Sequence, residues 1–169
     1  MKYAVSTGAL AAFFCFVAAA PAGPEQDFSG TWVLDKDRSY SNPPGLEQTI
    51  TIVHAGETLQ FDAELKTAQG KQTLHESWIL DGAEREFTPS GAAPGSKGKG
   101  KASRLPGKRG VLIEEEKTIP AQDGPIIQRT MRKLSLSPDG ATLTVDYYID
   151  TPRYQYEAKR VFVKVPAPK

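Results

Sequence analysis

The sequence predicts an all-β fold, a single antiparallel up-and-down barrel of about eight to ten strands. Short segments such as residues 46–52 and 59–65 alternate apolar and polar residues, which is typical of strands with one buried face. Turn signals separate these segments at short spacing, and Asp81-Gly82 and Asp139-Gly140 are strong hairpin signals. Because strands in sequential antiparallel order form a meander, we expect it to close into a barrel and so remove its exposed edges.

The first half of the chain predicts five strands. The first, residues 28–34, carries a Gly-x-Trp sequence, and residues 46–52 and 59–65 form a hairpin around a turn at 54–57. A turn at 68–71 leads into residues 74–80, and Asp81-Gly82 then turns the chain into residues 84–88.

The second half repeats this pattern. A strand opens at residues 110–113, and after a turn at 123–125 a long strand covers residues 126–136. Asp139-Gly140 joins that strand to residues 143–149, and the last strand, residues 154–165, follows a turn at 150–152.

The segment between the two halves, residues 89–110, contains six glycines and three prolines. Such a stretch buries too little apolar surface to offset its ordering entropy, so it is predicted to be a flexible loop, with room for a short strand near residues 102–105.

The same segment carries six positive charges and no acid between residues 96 and 110. These residues are predicted to form a basic flap that contacts an anionic surface: Lys97, Lys99, Lys101, Arg104, Lys108 and Arg109. The alternatives are a solvated loop without a specific role and neutralisation by the acids at 114–116.

The two ends of the chain predict export. Residues 1–22 have one early positive charge, a short apolar run and small residues before Gly23, so they are predicted to be a signal peptide cleaved after Ala22. The mature barrel domain then covers residues 23–165, a disordered tail covers 166–169, and the protein is periplasmic or secreted. Cys15, the only cysteine, lies inside the predicted signal, which leaves the mature chain without a thiol.

Composition and motifs argue against several functions. Beyond Lys2 the chain has 20 basic and 20 acidic residues, a balance unlike that of a nucleic-acid binder. The two histidines, His54 and His75, have no second histidine or cysteine at ligand spacing, and no nucleophile elbow, phosphate loop or dinucleotide fingerprint occurs. We therefore expect no metal, no cofactor, no enzymatic activity and no transmembrane segment in the mature protein.

The sequence Ser29-Gly30-Thr31-Trp32, its continuation through residues 33–35 with Ser39 nearby, and the closing strand around residues 159–162 resemble the lipocalin and calycin superfamily. More narrowly, the chain resembles small exported bacterial lipocalin-like proteins of unassigned activity. The resemblance implies that Trp32 packs against a basic side chain of the last strand and seals the barrel floor. That partner is expected to be Arg160, or else Lys159, with Gly30 allowing a close approach.

Alternation also predicts which side chains point into the barrel. Glu76 and Trp78 share one face of their strand, Glu115 lies on an inward face, and Arg132 lies on another. Arg132 is predicted to bind a ligand carboxylate; the remaining predicted ligand contacts are Trp78, Tyr147, Tyr154 and Tyr156. The alternatives are that Arg132 forms a structural salt bridge with Glu76 or Glu115, that a bulge turns these charges towards water, and that the aromatic residues only fill the core.

These observations predict an exported, non-enzymatic barrel that binds a small apolar or amphipathic molecule, including acidic ones. The alternative is an envelope-associated interaction or inhibitor module that acts through its loops and the basic flap.

Overall fold

The computed structural model describes residues 26–166, so the predicted signal peptide at 1–22 and residues 167–169 of the predicted tail lie outside the described residues. Over these residues the fold is all-β, with ten antiparallel strands and one short 3-10 helix. The strands are β1 (Gly30–Tyr40), β2 (Glu47–Ala55), β3 (Thr58–Thr67), β4 (Gly70–Ile79), β5 (Arg85–Phe87), β6 (Lys97–Arg104), β7 (Val111–Ile119), β8 (Ile126–Leu136), β9 (Thr142–Asp150) and β10 (Gln155–Lys164). The 3-10 helix covers Pro106–Lys108.

The strands form one curled sheet in the order β4-β3-β2-β1-β10-β9-β8-β7-β6-β5. Consecutive strands pair with each other, except β4 and β5, and β1 also pairs with β10. This is the predicted up-and-down barrel. The two sheet edges, β4 and β5, are not paired with each other, so the expected removal of all edges is incomplete. At one end the turn after β4 contacts β6, where Asp81 bridges to Ser103 and the Gly82 amide donates to the Ala102 carbonyl at 2.8 Å. We call the gap between β4 and the β5–β6 pair the seam.

Residues 97–104 form β6 and pair along their length with β7. The predicted flexible loop is therefore wrong for residues 97–101, and the short strand that the sequence allowed near 102–105 is the end of β6. The glycines of β6 have a packing role. A Cβ at Gly98 would lie 2.6 Å from the Phe87 ring, and one at Gly100 would lie 3.0 Å from the Trp78 ring. Because both rings occupy the space in which side chains would stand, a glycine-rich stretch forms a strand here.

The barrel floor is closed by Trp32, which is fully buried and donates its indole N–H to the Phe28 carbonyl at 3.0 Å. The predicted pairing of Trp32 with Arg160 is wrong. Lys164 is the register partner of Trp32, and its Nζ lies 5.1 Å from the centre of the indole ring. A Cβ at Gly30, which has a φ of +137°, would lie 2.6 Å from Lys164 Cε, so glycine is required for this approach.

The core consists of the inward side chains predicted by alternation, and these predictions are confirmed for β4, β7 and β8. Val111 and Ile113 of β7 and Leu134 of β8 are buried, as are Trp78 of β4 and Leu80, which directly follows β4. Within residues 26–166, no helix is long and apolar enough to cross a membrane.

Candidate functional site

A cavity of about 190 Å³ lies inside the barrel, above the floor. It is slightly larger than an engineered apolar cavity of about 150 Å³ that binds benzene, and it is below the usual range of sites for drug-sized ligands. Its size therefore suits a molecule built on a single ring or a short chain. The apolar wall consists of Ile50, Phe61, Ala63, Leu65, Leu74, Leu134, Leu143, Val145 and Ile149, and the polar wall of Gln48, Glu76, Glu115, Lys117, Gln128, Thr130, Arg132, Tyr147 and Arg160.

Arg132 lines this cavity, but two carboxylates hold it. Its Nη2 lies 2.6 Å from Glu76 Oε2 and 3.1 Å from Glu115 Oε2. The Trp78 indole donates to the same Glu76 oxygen at 3.1 Å, and the guanidinium lies 5.8 Å from the Trp78 ring centre. The structure therefore has the salt bridge that the sequence left as the alternative, and Arg132 has little charge left for a ligand carboxylate.

The electrostatics of this cluster are consistent with its geometry. Burial raises the pKa of Glu76, but the charge of Arg132 and hydrogen bonds from Arg132 and Trp78 outweigh burial and hold that pKa below its ordinary value of 4.5. Burial lowers the pKa of Arg132, whereas Glu115 and Glu76 raise it more, so the net direction is upward. Glu76 and Arg132 are therefore charged at neutral pH.

Arg160 is the second guanidinium of the cavity, and its partners are neutral. Its Nε donates to Asn42 Oδ1 at 3.0 Å and its Nη1 donates to Gln48 Oε1 at 2.9 Å, while its Cζ lies 4.7 Å from the centre of the Tyr147 ring. No carboxylate of residues 26–166 lies within 4.0 Å of it. A cation without an acidic partner in a partly apolar cavity attracts an anionic group. The sequence resemblance assigns Arg160 to the barrel floor, so Arg160 is not among the predicted ligand contacts.

The other predicted ligand contacts divide into two groups. Tyr147 lines the cavity, beneath Arg160. Trp78 is buried behind Glu76 and does not line the cavity. Tyr154 and Tyr156 are 55% and 41% exposed, with ring centres 5.8 Å apart, and they too lie outside the cavity wall.

A second cavity, of about 360 Å³, lies in the seam. Trp78, Phe87 and Gly100 contribute to its walls, and the Trp78 and Phe87 rings meet edge to face with centres 5.3 Å apart. Glu76 and Lys117 line both cavities, so these two side chains stand between the interior and the seam.

The predicted basic flap is largely an ordered strand with ion pairs. Lys99 Nζ lies 3.4 Å from Glu116, Lys101 Nζ lies 3.0 Å from Glu114, and Arg104 donates to the Gly56 carbonyl at 2.7 Å. Lys97 and Arg109 are exposed, and the side chain of Lys108 lies outside the described atoms. The acids that follow the segment thus neutralise part of its charge.

The part of the chain from Gln26 to Pro166 contains no group of three or more His, Cys, Asp or Glu side chains placed to hold a metal ion. The two histidines have different surroundings. His75 Nδ1 pairs with Asp62 on the exposed surface at 2.5 Å, and His54 packs its ring against Phe28.

The fold and the interior cavity define the class: the chain has a calycin-like barrel fold. No protein-family profile matches the sequence, and no curated protein matches it. Among solved structures, it is similar to zebrafish ileal bile acid-binding protein complexed with cholic acid, with a TM-score of 0.50 and 16% identity over 82% of this chain and 98% of that one. A second similar structure is secretory abundant heat soluble protein 4 from Ramazzottius varieornatus, with a TM-score of 0.48 and 10% identity over 85% of this chain and 99% of that one. At 16% identity, the likeness to the zebrafish protein shows the fold alone.

Proposed function

We propose that this protein is an exported, non-enzymatic barrel that binds a small amphipathic molecule with an acidic head group in its interior cavity. The single observation that carries the proposal is the state of Arg160, a cavity guanidinium whose contacts are neutral, beside an apolar wall. The bile acid-binding activity in the name of the similar zebrafish protein agrees with a small amphipathic ligand.

The acidic head group is assigned to Arg160 because the two arginines differ in their surroundings. Glu76 and Glu115 already neutralise Arg132, and a ligand carboxylate there would be repelled by both acids. Arg160 faces the same cavity with only amide oxygens and a tyrosine ring as partners. The apolar body of the ligand would lie against residues such as Leu134, Leu143 and Val145.

The test compares 3-phenylpropanoic acid with 3-phenylpropanamide, which has the same size and no charge, by isothermal titration calorimetry. We expect the acid to bind at least tenfold tighter, because a hydrogen bond to a charged group contributes about 1.5–3 kcal/mol. Arg160→Met should abolish this preference. Lys159→Met is the matched control, since it removes the same charge from the adjacent, outward residue, which lies 3.7 Å from Asp146.

Two outcomes would count against the proposal. If neither compound binds, and native mass spectrometry of the exported protein finds no co-purified small molecule, the cavity is not a ligand site. If the acid preference survives in Arg160→Met, the head group lies elsewhere.

Export is tested separately by measuring the mass of the mature protein. We expect an N-terminus at Gly23, as the pattern of residues 1–22 predicts. An unprocessed N-terminus would contradict export through a cleaved signal.

A further inference from the structure

Two buried polar atoms at the cavity wall have no hydrogen-bond partner among the described residues: Glu115 Oε1 and Arg132 Nε. The Glu115 side chain is 2% exposed and that of Arg132 is 12% exposed. Lys117 Nζ lies 3.2 Å from Glu115 Oε1, so the charges attract, but the orientation is not that of a hydrogen bond. One buried acceptor and one buried donor, on two residues that line the cavity, therefore lack a hydrogen bond within the described residues, and leaving such groups unpaired is costly.

The charges around these atoms restrict the group that can satisfy them. Glu76 and Glu115 contribute two negative charges, and Arg132 and Lys117 contribute two positive charges, so the cluster is neutral as it stands. A further carboxylate would face two acids, and an ammonium group would face two cations. A neutral group fits best.

The hydrogen-bonding roles restrict it further. Arg132 Nε carries a proton and requires an acceptor, whereas the Glu115 carboxylate oxygen requires a donor. A carbonyl or ether oxygen only accepts, so it leaves Glu115 unpaired. A hydroxyl group accepts and donates through one atom, so a single hydroxyl has both of the roles that these two atoms require.

We propose that Glu115 and Arg132 form a hydroxyl-recognition subsite, and that the ligand is a small apolar hydroxy acid. This inference rests on the proposed function, because it assumes that the interior cavity holds a ligand whose acid lies at Arg160. The two subsites flank one residue. Tyr147 is the register partner of Arg132 across β8 and β9, and its ring lies beneath Arg160. A single-ring molecule can therefore carry both groups.

The test uses 3-phenylpropanoic acid, its three ring-hydroxylated isomers and the three corresponding methoxy compounds, titrated calorimetrically at pH 7 and fixed salt. One hydroxy isomer is expected to bind about tenfold tighter than the parent acid, since a hydrogen bond to a charged group strengthens binding by that order. The matching methoxy compound should lose this gain, because it accepts but cannot donate.

Glu115→Gln should reduce the hydroxyl gain to about threefold or less, because charge-assisted hydrogen bonds are about twice as strong as neutral ones. The control is Glu116→Gln, the same change one residue along, where the side chain pairs with Arg129 on the outer face. Binding of the parent acid to Glu115→Gln reports whether its cavity is intact. If that variant does not fold, the comparison of hydroxy and methoxy compounds on the unaltered protein decides alone.

The outcomes separate the two proposals. If the parent acid binds and no hydroxy isomer binds more tightly, the hydroxyl subsite is overturned and water is the occupant of these two atoms. If a hydroxy compound and its methoxy counterpart gain equally, the donor role assigned to the ligand is overturned. If no compound binds, the parent acid included, this inference fails, and the proposed function fails with it when native mass spectrometry also finds no co-purified small molecule.

Discussion

The Lys164 ammonium lies 5.1 Å from the centre of the Trp32 ring, at the point where the first and last strands close the barrel floor. The contact joins residues 132 positions apart in the chain, and Gly30 makes room for the lysine. The floor is therefore sealed by an indole and an ammonium group.

This contact predicts that replacing Lys164 lowers the free energy of unfolding more than replacing Lys159 does. Lys164→Ala should lower the free energy of unfolding by about 1 kcal/mol, the usual scale of a partly exposed cation–π contact. Lys159→Ala should change it by less than about 0.5 kcal/mol, because its ion pair with Asp146 is exposed. Urea unfolding followed by tryptophan fluorescence measures both, and equal losses would contradict the assignment of the floor cation.

Substitution of the two cavity arginines should affect stability and ligand binding differently. Arg132→Met leaves Glu76 and Glu115 buried without their shared cation, which should cost about 3–5 kcal/mol. Arg160→Met removes hydrogen bonds to Asn42 and Gln48 and should cost about 1–2 kcal/mol, while it removes the preference for acidic ligands.

Thermal unfolding and acid binding measured on both variants check this division of roles. Adding Glu76→Gln and Glu115→Gln to Arg132→Met should recover part of the lost stability, because no unneutralised carboxylate then remains in the barrel. A stable Arg132→Met variant that fails to bind acids would reverse the two assignments.

The sequence predicts the inward faces well because a strand has a strict period of two, so the positions of Trp78, Glu115 and Arg132 follow once each strand is recognised. It does not contain the register between strands that are distant in the chain. Lys164, not Arg160, is opposite Trp32, and this offset of four residues depends on how β1 and β10 pair. The choice between a ligand role and a salt bridge for Arg132 likewise depends on how β4, which carries Glu76, faces the paired strands β7 and β8.

Residues 97–104 show a second limit of sequence reasoning. Alternating lysine and glycine has low strand propensity and no apolar face, so the pattern favours a loop. The strand forms because its missing inward side chains are supplied by Phe87 and Trp78, and because Glu114 and Glu116 on β7 pair with its outward lysines. Both partners come from other segments.

This packing predicts that the inward glycines of β6 resist substitution. Gly100→Ala would place a Cβ 2.7 Å from the Glu114 carbonyl and 3.0 Å from the Trp78 ring, so overpacking should cost about 1–3 kcal/mol. Gly98→Ala should cost less, because it presses on Phe87, whose half-buried ring can move into the seam.

The outward residue between them, Lys99, supplies the control. Lys99→Ala should change the free energy of unfolding by no more than about 0.5 kcal/mol, since its pair with Glu116 is largely exposed. Chemical unfolding of the three variants measures the difference. If Gly100→Ala is as stable as Lys99→Ala, the packing of the Trp78 ring does not require a glycine at position 100.

The buried cluster also predicts a specific dependence of stability on pH. Arg132 holds the pKa of Glu76 below its ordinary value of 4.5, despite burial, so the folded protein binds this proton less readily than the unfolded chain does. The contribution of Glu76 to stability is therefore complete above about pH 5 and is lost as pH falls through 4.5 and towards the folded pKa.

The free energy of unfolding, measured by urea titration between pH 7 and pH 3, should fall more steeply in the unaltered protein than in Glu76→Gln. Surface acids such as Asp81 and Asp35 also have lowered pKa values, but they remain in both proteins, so the difference between the two curves isolates Glu76. Parallel curves would show that Arg132 does not stabilise the charged form of this carboxyl.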